Sequence, residues 1–454
     1  MPSSMPIDEN KRKIIMDIMN SQNAAAGGIE KIDKRRLVIA GKVILLPIYR
    51  FELSQIAFNK SNGRIKSEVL EKESNIGREL YDTPEDQETI KNILLSLRRD
   101  ENNKTKEDLI KNGQMEPGII TCDGVIINGN RRKAILEEIY TEDSSEKFKY
   151  FEALVLPSNI RKSELWLIEA GIQLSATQQL DYSPINHLLK LKEGIDSGLK
   201  IPEMASRIYG VNEDKIKSDL ERLKIIDEYL DEFIKKPNRY YLVENLNEHF
   251  INLQSNLNWA NNPRGNIRLD WSPDKSDINE LKIVCFYYIR QKFPHLRIRE
   301  IRKQFGRRTA WDYIRKSIEL LDTTQEEKFD NGDNTINDLI DDNDLDIIED
   351  QEAIRDIVEE QDKKDESDWR KRHENTLKRC FQDAQEQVGI EEDKEQPLKL
   401  AKRALKIIDA IPLDNNTKID EIDDILSDII KKINLIRDKV RKTRNKSKKK
   451  RKSK

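Results

Sequence analysis

Cysteine and histidine are scarce in this chain, and neither is clustered. The three cysteines, Cys122, Cys285 and Cys380, are far apart in the sequence, so they form neither a disulfide framework nor a set of metal ligands. Isolated thiols of this kind fit a reducing cytosol. The four histidines are equally dispersed, which argues against a zinc site. The sequence therefore predicts no metal centre built from cysteine or histidine.

Long apolar stretches are also missing. No run approaches the roughly 18 apolar residues of a membrane span, and the N-terminus mixes charges throughout, without the apolar core of a signal peptide. Aromatic residues make up only 6% of the chain, whereas charged residues make up 36%. We therefore expect a cytoplasmic protein with no membrane partner, whose globular parts are joined by solvated helices and linkers.

Charges of opposite sign are segregated along the chain, and the net charge of -3 conceals this. Residues 341–368 carry 14 acidic and 3 basic side chains, whereas residues 439–454 carry 11 basic and no acidic ones. The two blocks cancel, so the net charge alone does not indicate a partner. The length of 454 residues allows two or three domains.

The strongest local pattern lies between residues 119 and 139. Two β-branched runs flank Asp123 and a glycine, which predicts a tight hairpin because glycine accepts the positive φ of such a turn. The second run ends in the segment Gly129 to Arg132, and the apolar spacing then becomes helical. Backbone N–H groups at a helix start, together with two arginines, suit a phosphate. We predict an anion site for a nucleotide phosphate or a nucleic-acid backbone; the alternative is an ordinary turn with a solvated arginine pair.

The elements around this pattern follow a recognisable order. They are a strand region at 37–58, helices at 88–97 and 106–111, the hairpin and its helix, a strand at 150–156 and a helix at 162–171. With the boxes Gly113-Gln114, Gly129 to Arg132 and Glu169, this order resembles the N-terminal domain of ParB-family partition proteins. That domain shares its fold with sulfiredoxin. The resemblance covers residues 37–180 and implies an α+β domain that binds a nucleoside triphosphate, CTP or ATP, with Mg²⁺ as a further ligand.

The resemblance also implies roles for single residues. Glu169 is the tentative catalytic residue, because in this family it would position a metal ion or water for slow triphosphate hydrolysis. The chain has Ala170 where the family's third box has asparagine, and Asn130 where sulfiredoxin has its cysteine, so sulfinic-acid repair is not expected. The implied nucleotide-binding residues are Gly113, Gln114, Gly129, Asn130, Arg131, Arg132 and Gln173.

Residues 201–227 have the pattern of a helix-turn-helix. A first short helix ends near Gly210, and Asn212 is placed to cap a second helix with an apolar stripe. This segment looks like the central DNA-binding part of ParB proteins; the alternative is a plain helical hairpin in a bundle. The residues expected to be exposed towards DNA are Lys215, Lys217, Ser218 and Arg222.

A second basic element follows at residues 290–316, which contain 10 basic and 2 acidic side chains. An apolar stripe along it predicts helices with a turn at Gly306. We interpret the basic face as a source of non-specific phosphate affinity; the alternative is a solvated face that answers the acidic segment downstream. The predicted DNA contacts are Arg297, Arg299, Arg302, Arg307 and Arg308.

The last third of the chain predicts a linker, a helical hairpin and a tail. Isoleucine, leucine and valine recur at spacings of three and four between Ile419 and Val440, which indicates a coiled-coil seam. The seam packs either within one chain or between two chains as a homodimer. The predicted segments are a mobile lead-in with one weak helix at 1–36, the ParB/sulfiredoxin-like domain at 37–180, a helical DNA-binding region at 181–321, an acidic linker at 322–368, the helical hairpin at 369–438 and a disordered polybasic arm at 439–454.

Together these patterns predict a nucleoid-associated, DNA-binding protein. Its nucleotide-binding domain would switch a DNA clamp or adaptor in plasmid or chromosome partition, a mobile element or a defence system. One alternative is a metal-dependent DNA nuclease, although no acidic grouping in 37–180 has an obvious two-metal spacing. The other is a non-catalytic scaffold protein.

Overall fold

The structure is a computed structural model that describes residues 7–173, 183–208, 210–265, 267, 269–325, 351–394, 397–410 and 419–452. Two compact units divide the chain, Met1–Gln385 and Glu386–Lys454. The first unit contains a small sheet with helices and an all-helical region, which confirms the mixed α+β class. No helix in the described part of the chain has the length and hydropathy of a membrane span.

A five-stranded sheet forms the N-terminal part of the first unit. Its strands are β1 (Lys34–Ile39), β2 (Lys42–Glu52), β3 (Gly118–Ile120), β4 (Ile126–Asn128) and β5 (Tyr150–Val155), in the spatial order β1-β2-β5-β3-β4. Neighbouring strands are antiparallel except β3 and β5, which are parallel. The predicted hairpin between β3 and β4 is confirmed: Gly124 has φ +87° and donates its N–H to the Thr121 carbonyl at 3.1 Å.

Helices cover both faces of this sheet. α1 (Glu9–Ala26), α4 (Arg99–Asn112) and α5 (Asn130–Asp143) lie on one face, and α6 (Lys162–Gln173) lies on the other. α2 (Lys66–Ile76) and α3 (Pro84–Ser96) pack in a separate cluster with Ala134 of α5. Successive side chains of a strand point to opposite faces, and β5 shows this directly. Phe151 packs with Ile15 of α1 and Ile135 of α5, whereas Leu154 packs with Ile168 of α6.

The prediction of a mobile lead-in is wrong for α1. Asp8 caps this helix by accepting hydrogen bonds from the backbone N–H groups of Asn10 and Lys11. Ile15 is only 1% exposed and belongs to the core beneath the sheet. The polar composition of the segment concealed one buried stripe, so α1 is part of the domain.

The all-helical region follows the sheet. It contains α7 (Pro184–Asp196), α8 (Ile201–Ala205), α9 (Glu213–Glu228), α10 (Asn247–Asn261), α11 (Lys275–Arg290), α12 (His295–Phe305) and α13 (Arg308–Gln325). The structure has the two predicted helices and the turn between them: Gly210 has φ +70°, and the Asn212 side chain accepts from the Lys215 N–H at 2.8 Å. Ile216 and Leu223 are buried, as the apolar stripe predicts.

One long helix, α14 (Gln351–Lys394), replaces the predicted boundary between an acidic linker and a separate hairpin. Trp369 and Phe381 of α14 are 4% and 3% exposed and join the core of the helical region. Asp362 accepts hydrogen bonds from Lys236 and Tyr241, so this acidic side chain of the segment is buried against basic and polar partners. The linker prediction is therefore wrong for the described residues of α14, and residues 326–350 lie outside the described ones.

The second unit contains α15 (Pro397–Asp409) and α16 (Ile419–Lys452). The predicted turn between them lies outside the described residues. The α16 helix continues to Lys452, so the prediction of a disordered arm from residue 439 is wrong as far as that residue. The predicted seam is exposed at its C-terminal end, where Ile433, Ile436 and Val440 are 48%, 61% and 61% accessible.

Candidate anion-binding site

A cavity of about 320 Å³ opens beside the start of α5. This volume is within the range of small-molecule sites. The turns before α2, α4 and α5 and the first turn of α7 all contribute to its lining. Four arginines face the cavity: Arg64, Arg98, Arg131 and Arg132.

Gly129 sets the backbone at the start of α5. Its φ is +112°, and a Cβ placed there would lie 2.7 Å from Cζ of Phe151. Only glycine meets both conditions without strain. No side chain among the described residues caps α5, so the first-turn N–H groups and the positive end of the helix dipole remain directed at the cavity.

Asn130 joins this helix start to the loop before α2. It is 1% exposed, its Oδ1 accepts from the Asn59 N–H at 2.9 Å, and its Nδ2 donates to the Ile126 carbonyl at 3.2 Å. Asn130 is therefore a positioning residue that holds the loop leading to Arg64 against α5.

The arginines concentrate positive charge in a partly desolvated place. Burial lowers the pKa of Arg132; nearby Glu116 opposes this, and the charge of Arg64 lowers it further. Arg132 also donates to the Glu116 carbonyl, while Arg98 and Arg131 each approach the Glu101 carboxylate, at 3.3 and 3.5 Å. Arginines that repel one another in a cavity favour an anionic ligand, because its charge relieves the repulsion.

The predicted nucleotide-binding residues divide into two groups. Gly129, Asn130, Arg131 and Arg132 all line the cavity, whereas Gly113 and Gln114 are not part of its lining. Gly113 ends α4 at φ +71°. The Gln114 side chain exchanges two hydrogen bonds with the backbone of Glu152, at 2.7 and 2.9 Å, and so extends the sheet pairing. The Gln173 side chain lies outside the described residues.

Glu169, the predicted catalytic residue, is buried and bonded to other parts of the fold. It is 4% exposed, its Oε2 pairs with the fully buried Lys190 at 2.6 Å, and its Oε1 accepts from the Gly63 N–H at 3.2 Å. Both oxygens are thus engaged within the fold, and Glu169 does not face the arginine cavity. The prediction that it positions a metal ion or water there is corrected: it anchors the loop that precedes Arg64.

Several lining residues were missed at the sequence level. Arg64 ends a polar turn after the first strands, so a basic residue in a loop was its only signal. Arg98 lies between α3 and α4 and has a φ of +53°, which is rare for residues other than glycine. Asn186 of α7 reaches the cavity from 122 residues beyond Arg64, whose carbonyl accepts from its Nδ2 at 3.2 Å. No local motif predicts such long-range proximity.

No protein-family model matches this chain, and no curated protein matches it either. The site therefore rests on its own geometry. Within the described ranges, no group of three or more histidine, cysteine, aspartate and glutamate side chains is arranged to hold a metal ion.

The predicted DNA-contacting residues of α9 differ in accessibility. Lys215 and Lys217 are more than half exposed, although each pairs with an acid of its own helix, Asp219 at 2.9 Å and Asp214 at 3.6 Å. Ser218 is half-buried near Gln254. Arg222 is buried and pairs with Asp219, so the prediction that it is exposed towards DNA is wrong.

The second basic element is more open. Arg299, Arg302 and Arg307 make no side-chain hydrogen bond or ion pair with the described part of the chain. Arg297 instead pairs with Glu300 at 3.0 Å. Arg308 stacks on Trp271 at 4.5 Å and pairs with Asp312 at 3.4 Å. Three of the five predicted arginines are thus without a side-chain partner in the described part of the chain, whereas Arg297 and Arg308 are paired.

Proposed function

We propose that this protein binds a nucleoside triphosphate, CTP or ATP, with its phosphates in the arginine cavity. The single observation that carries the proposal is the convergence of four arginines on an uncapped helix N-terminus in one cavity. Phosphate oxygens accept from guanidinium forks and from backbone N–H groups at such a place. The resemblance to ParB/sulfiredoxin-like domains supports the same assignment, because Gly129 to Arg132 is the family's phosphate segment.

The proposal extends to DNA and to a homodimer. The helix-turn-helix of α8 and α9 and the arginines of α12 and α13 form the DNA-binding region, and the basic end of α16 adds sequence-independent affinity. The exposed seam of α16 pairs two chains. A nucleotide in the cavity then biases a nucleoid-associated clamp or adaptor in partition, a mobile element or a defence system. Hydrolysis is not part of the proposal, because Glu169 is engaged elsewhere.

Binding of CTP, ATP and GTP by the full chain, with and without Mg²⁺ and duplex DNA, tests this function. We expect at least one triphosphate to bind and Arg131→Ala to weaken it by at least about tenfold, since the variant removes a charge-assisted hydrogen bond. The matched control is Arg36→Ala, an exposed arginine of β1, which should leave affinity unchanged. Equal weak binding of all three nucleotides, unaffected by Arg131→Ala, would contradict the proposal.

The proposed DNA binding is tested separately, by measuring the affinity of a shortened chain for duplex DNA. A chain that ends at residue 438 should bind duplex DNA more weakly than the full chain. It should also show a shallower dependence of log affinity on log salt, because fewer phosphates are neutralised. Sequence preference should not change, since a basic helix end that contacts phosphates does not distinguish bases. An unchanged salt dependence would remove α16 from the DNA interface.

A further inference from the structure

The arginine cavity also has an acidic residue in its lining. Glu68, in the first turn of α2, lines the same cavity as Arg64 and Arg131, as does the exposed Glu244. Phosphate does not need a carboxylate, because two anions repel each other. Glu68 must therefore serve either the fold or a different part of a ligand.

Hydrogen bonds hold the Glu68 carboxylate in one orientation. Its Oε2 accepts from Oγ of Ser67 at 2.9 Å and from Nδ2 of Asn186 at 3.2 Å. Asn186 is itself fixed: it is 1% exposed and its Oδ1 accepts from the Ser67 N–H at 2.9 Å. Both donors are neutral, and Glu68 makes no ion pair with any described residue. The backbone N–H of Glu68 adds a further hydrogen bond, so the carboxylate is fixed at the wall of the cavity.

Burial makes the charged form of the Glu68 carboxylate less favourable. Burial raises the pKa of the Glu68 carboxyl, its hydrogen bonds oppose the rise, and the charge of Glu244 adds to it. Glu68 is a fixed, partly desolvated acceptor that lines the same cavity as the four arginines and forms no ion pair with any described residue, so it is suited to a hydrogen-bond donor of a ligand.

We propose that Glu68 determines which nucleobase the site accepts, by accepting a hydrogen bond from the exocyclic amino group of cytosine or adenine. This inference rests on the proposed triphosphate binding. An ionised carboxylate only accepts hydrogen bonds. Uracil and hypoxanthine carry a carbonyl oxygen where cytosine and adenine carry the amino group, so they would place an acceptor against an acceptor. A site built around such a hydrogen bond rejects the analogue that lacks it.

The test compares ligands that differ at this one group. The full chain is titrated with CTP against UTP, with ATP against ITP, and with inorganic tripolyphosphate. We expect the amino-bearing member of at least one pair to bind about tenfold or more tightly than its partner. Glu68→Gln should reduce or invert that ratio, because the new amide can donate to the carbonyl of UTP or ITP. Its affinity for tripolyphosphate should be retained or become tighter, because the variant removes a negative charge from the cavity.

Further variants keep the outcome clear. Glu68→Ala should lose the discrimination without inverting it, and Glu85→Gln, an exposed acid of α3, should change nothing. If tripolyphosphate fails to bind the unmodified chain, the triphosphate proposal itself is wrong. If tripolyphosphate and nucleotides bind but Glu68→Gln leaves each ratio intact, only the role of Glu68 is overturned. A Glu68→Gln effect confined to Mg²⁺-dependent binding, tripolyphosphate included, would make Glu68 a metal ligand and also overturn the inference.

Discussion

At the scale of single residues, Gly129 is required both by its backbone conformation and by its close approach to Phe151. We expect Gly129→Ala to lower the free energy of unfolding by about 2–3 kcal/mol, because the methyl group collides with Phe151 in addition to the strain of the left-handed backbone. Urea unfolding measures the change.

Gly77→Ala is the matched control for this prediction. Gly77 also has a positive φ, +66°, but a Cβ there meets nothing within 4 Å. Its replacement should cost only about 1 kcal/mol, from backbone strain alone. Equal losses in the two variants would show that the contact with Phe151 contributes nothing.

Asp219 makes the stability of the packing around α9 depend on pH. Burial raises the pKa of its carboxyl, but hydrogen bonds from His187 and Lys215 and the charge of Arg222 lower it by more, from 3.8 to about 2. The folded state therefore favours the charged form, so this carboxylate stabilises the fold above about pH 4 and loses its effect as the pH falls towards 2.

Asp219→Asn should accordingly lower the free energy of unfolding by roughly 1–2 kcal/mol at pH 7. The difference from the unmodified chain should shrink as the pH falls from about 4 towards 2, because Asp219 loses its charge only as the pH passes its folded-state pKa of about 2. Asp214→Asn, at an exposed position of the same helix, should show little difference at either pH. A loss of equal size at both pH values would mean that shape rather than charge explains the effect.

Sequence reasoning at this scale succeeded where the site is local. Gly129 to Arg132 are consecutive, so one turn followed by a helix was enough to place them together. Arg64 and Asn186 reach the same cavity through contacts between elements more than 100 residues apart, and no spacing encodes that. Arg222 was misjudged because its partner, Asp219, lies one helical turn away, a distance at which a charge can be either solvated or paired.

At the scale of elements, α14 shows how composition misleads. Its first part reads as an acidic linker, yet the Glu366 carboxylate receives two hydrogen bonds from Arg290 of α11, at 2.9 and 3.1 Å. Trp369 lies over the same arginine, at 4.2 Å. An acidic helix can therefore pack against a basic side chain of another element, and its sequence alone does not reveal that partner.

A substitution in α14 tests this packing. Trp369→Ala should lower the free energy of unfolding by about 3–5 kcal/mol, because it leaves a large cavity in the core of the helical region. Leu405→Ala, at a 60% exposed position of α15, should change it by less than about 0.5 kcal/mol. Both are measured by urea unfolding. If Trp369→Ala is as mild as the control, α14 does not contribute to the core.

At the scale of the whole molecule, the seam of α16 exposes apolar side chains to solvent in a single chain. Ile433→Asp should convert the proposed dimer into a monomer, since a buried unpaired charge at the seam is strongly unfavourable. Light scattering coupled to size exclusion gives the mass. Asp438→Asn, on the opposite side of the helix, should leave the mass unchanged. A monomer without any substitution would contradict self-association through α16.

The sequence was enough to predict the local elements of the fold, but not the contacts between distant elements. Apolar periodicity predicted the strands, the hairpin and the helices α8 and α9, because each depends on neighbours along the chain. The extent of α14 and the role of Glu169 depend on partners such as Arg290 and Lys190, which lie elsewhere in the fold. The seam is a case between the two: its spacing predicts a buried stripe, but not whether the covering surface belongs to the same chain.

The continuity of α16 has a consequence for helical phase. Its 34 residues make a rod about 50 Å long, and the seam and the basic end share one axis. Each residue inserted between them would turn the basic end by about 100° and advance it by about 1.5 Å. In a flexible tether, such an insertion would not change the direction of the basic segment. In a continuous helix, the direction of the basic segment is set by its register relative to the isoleucines of the seam.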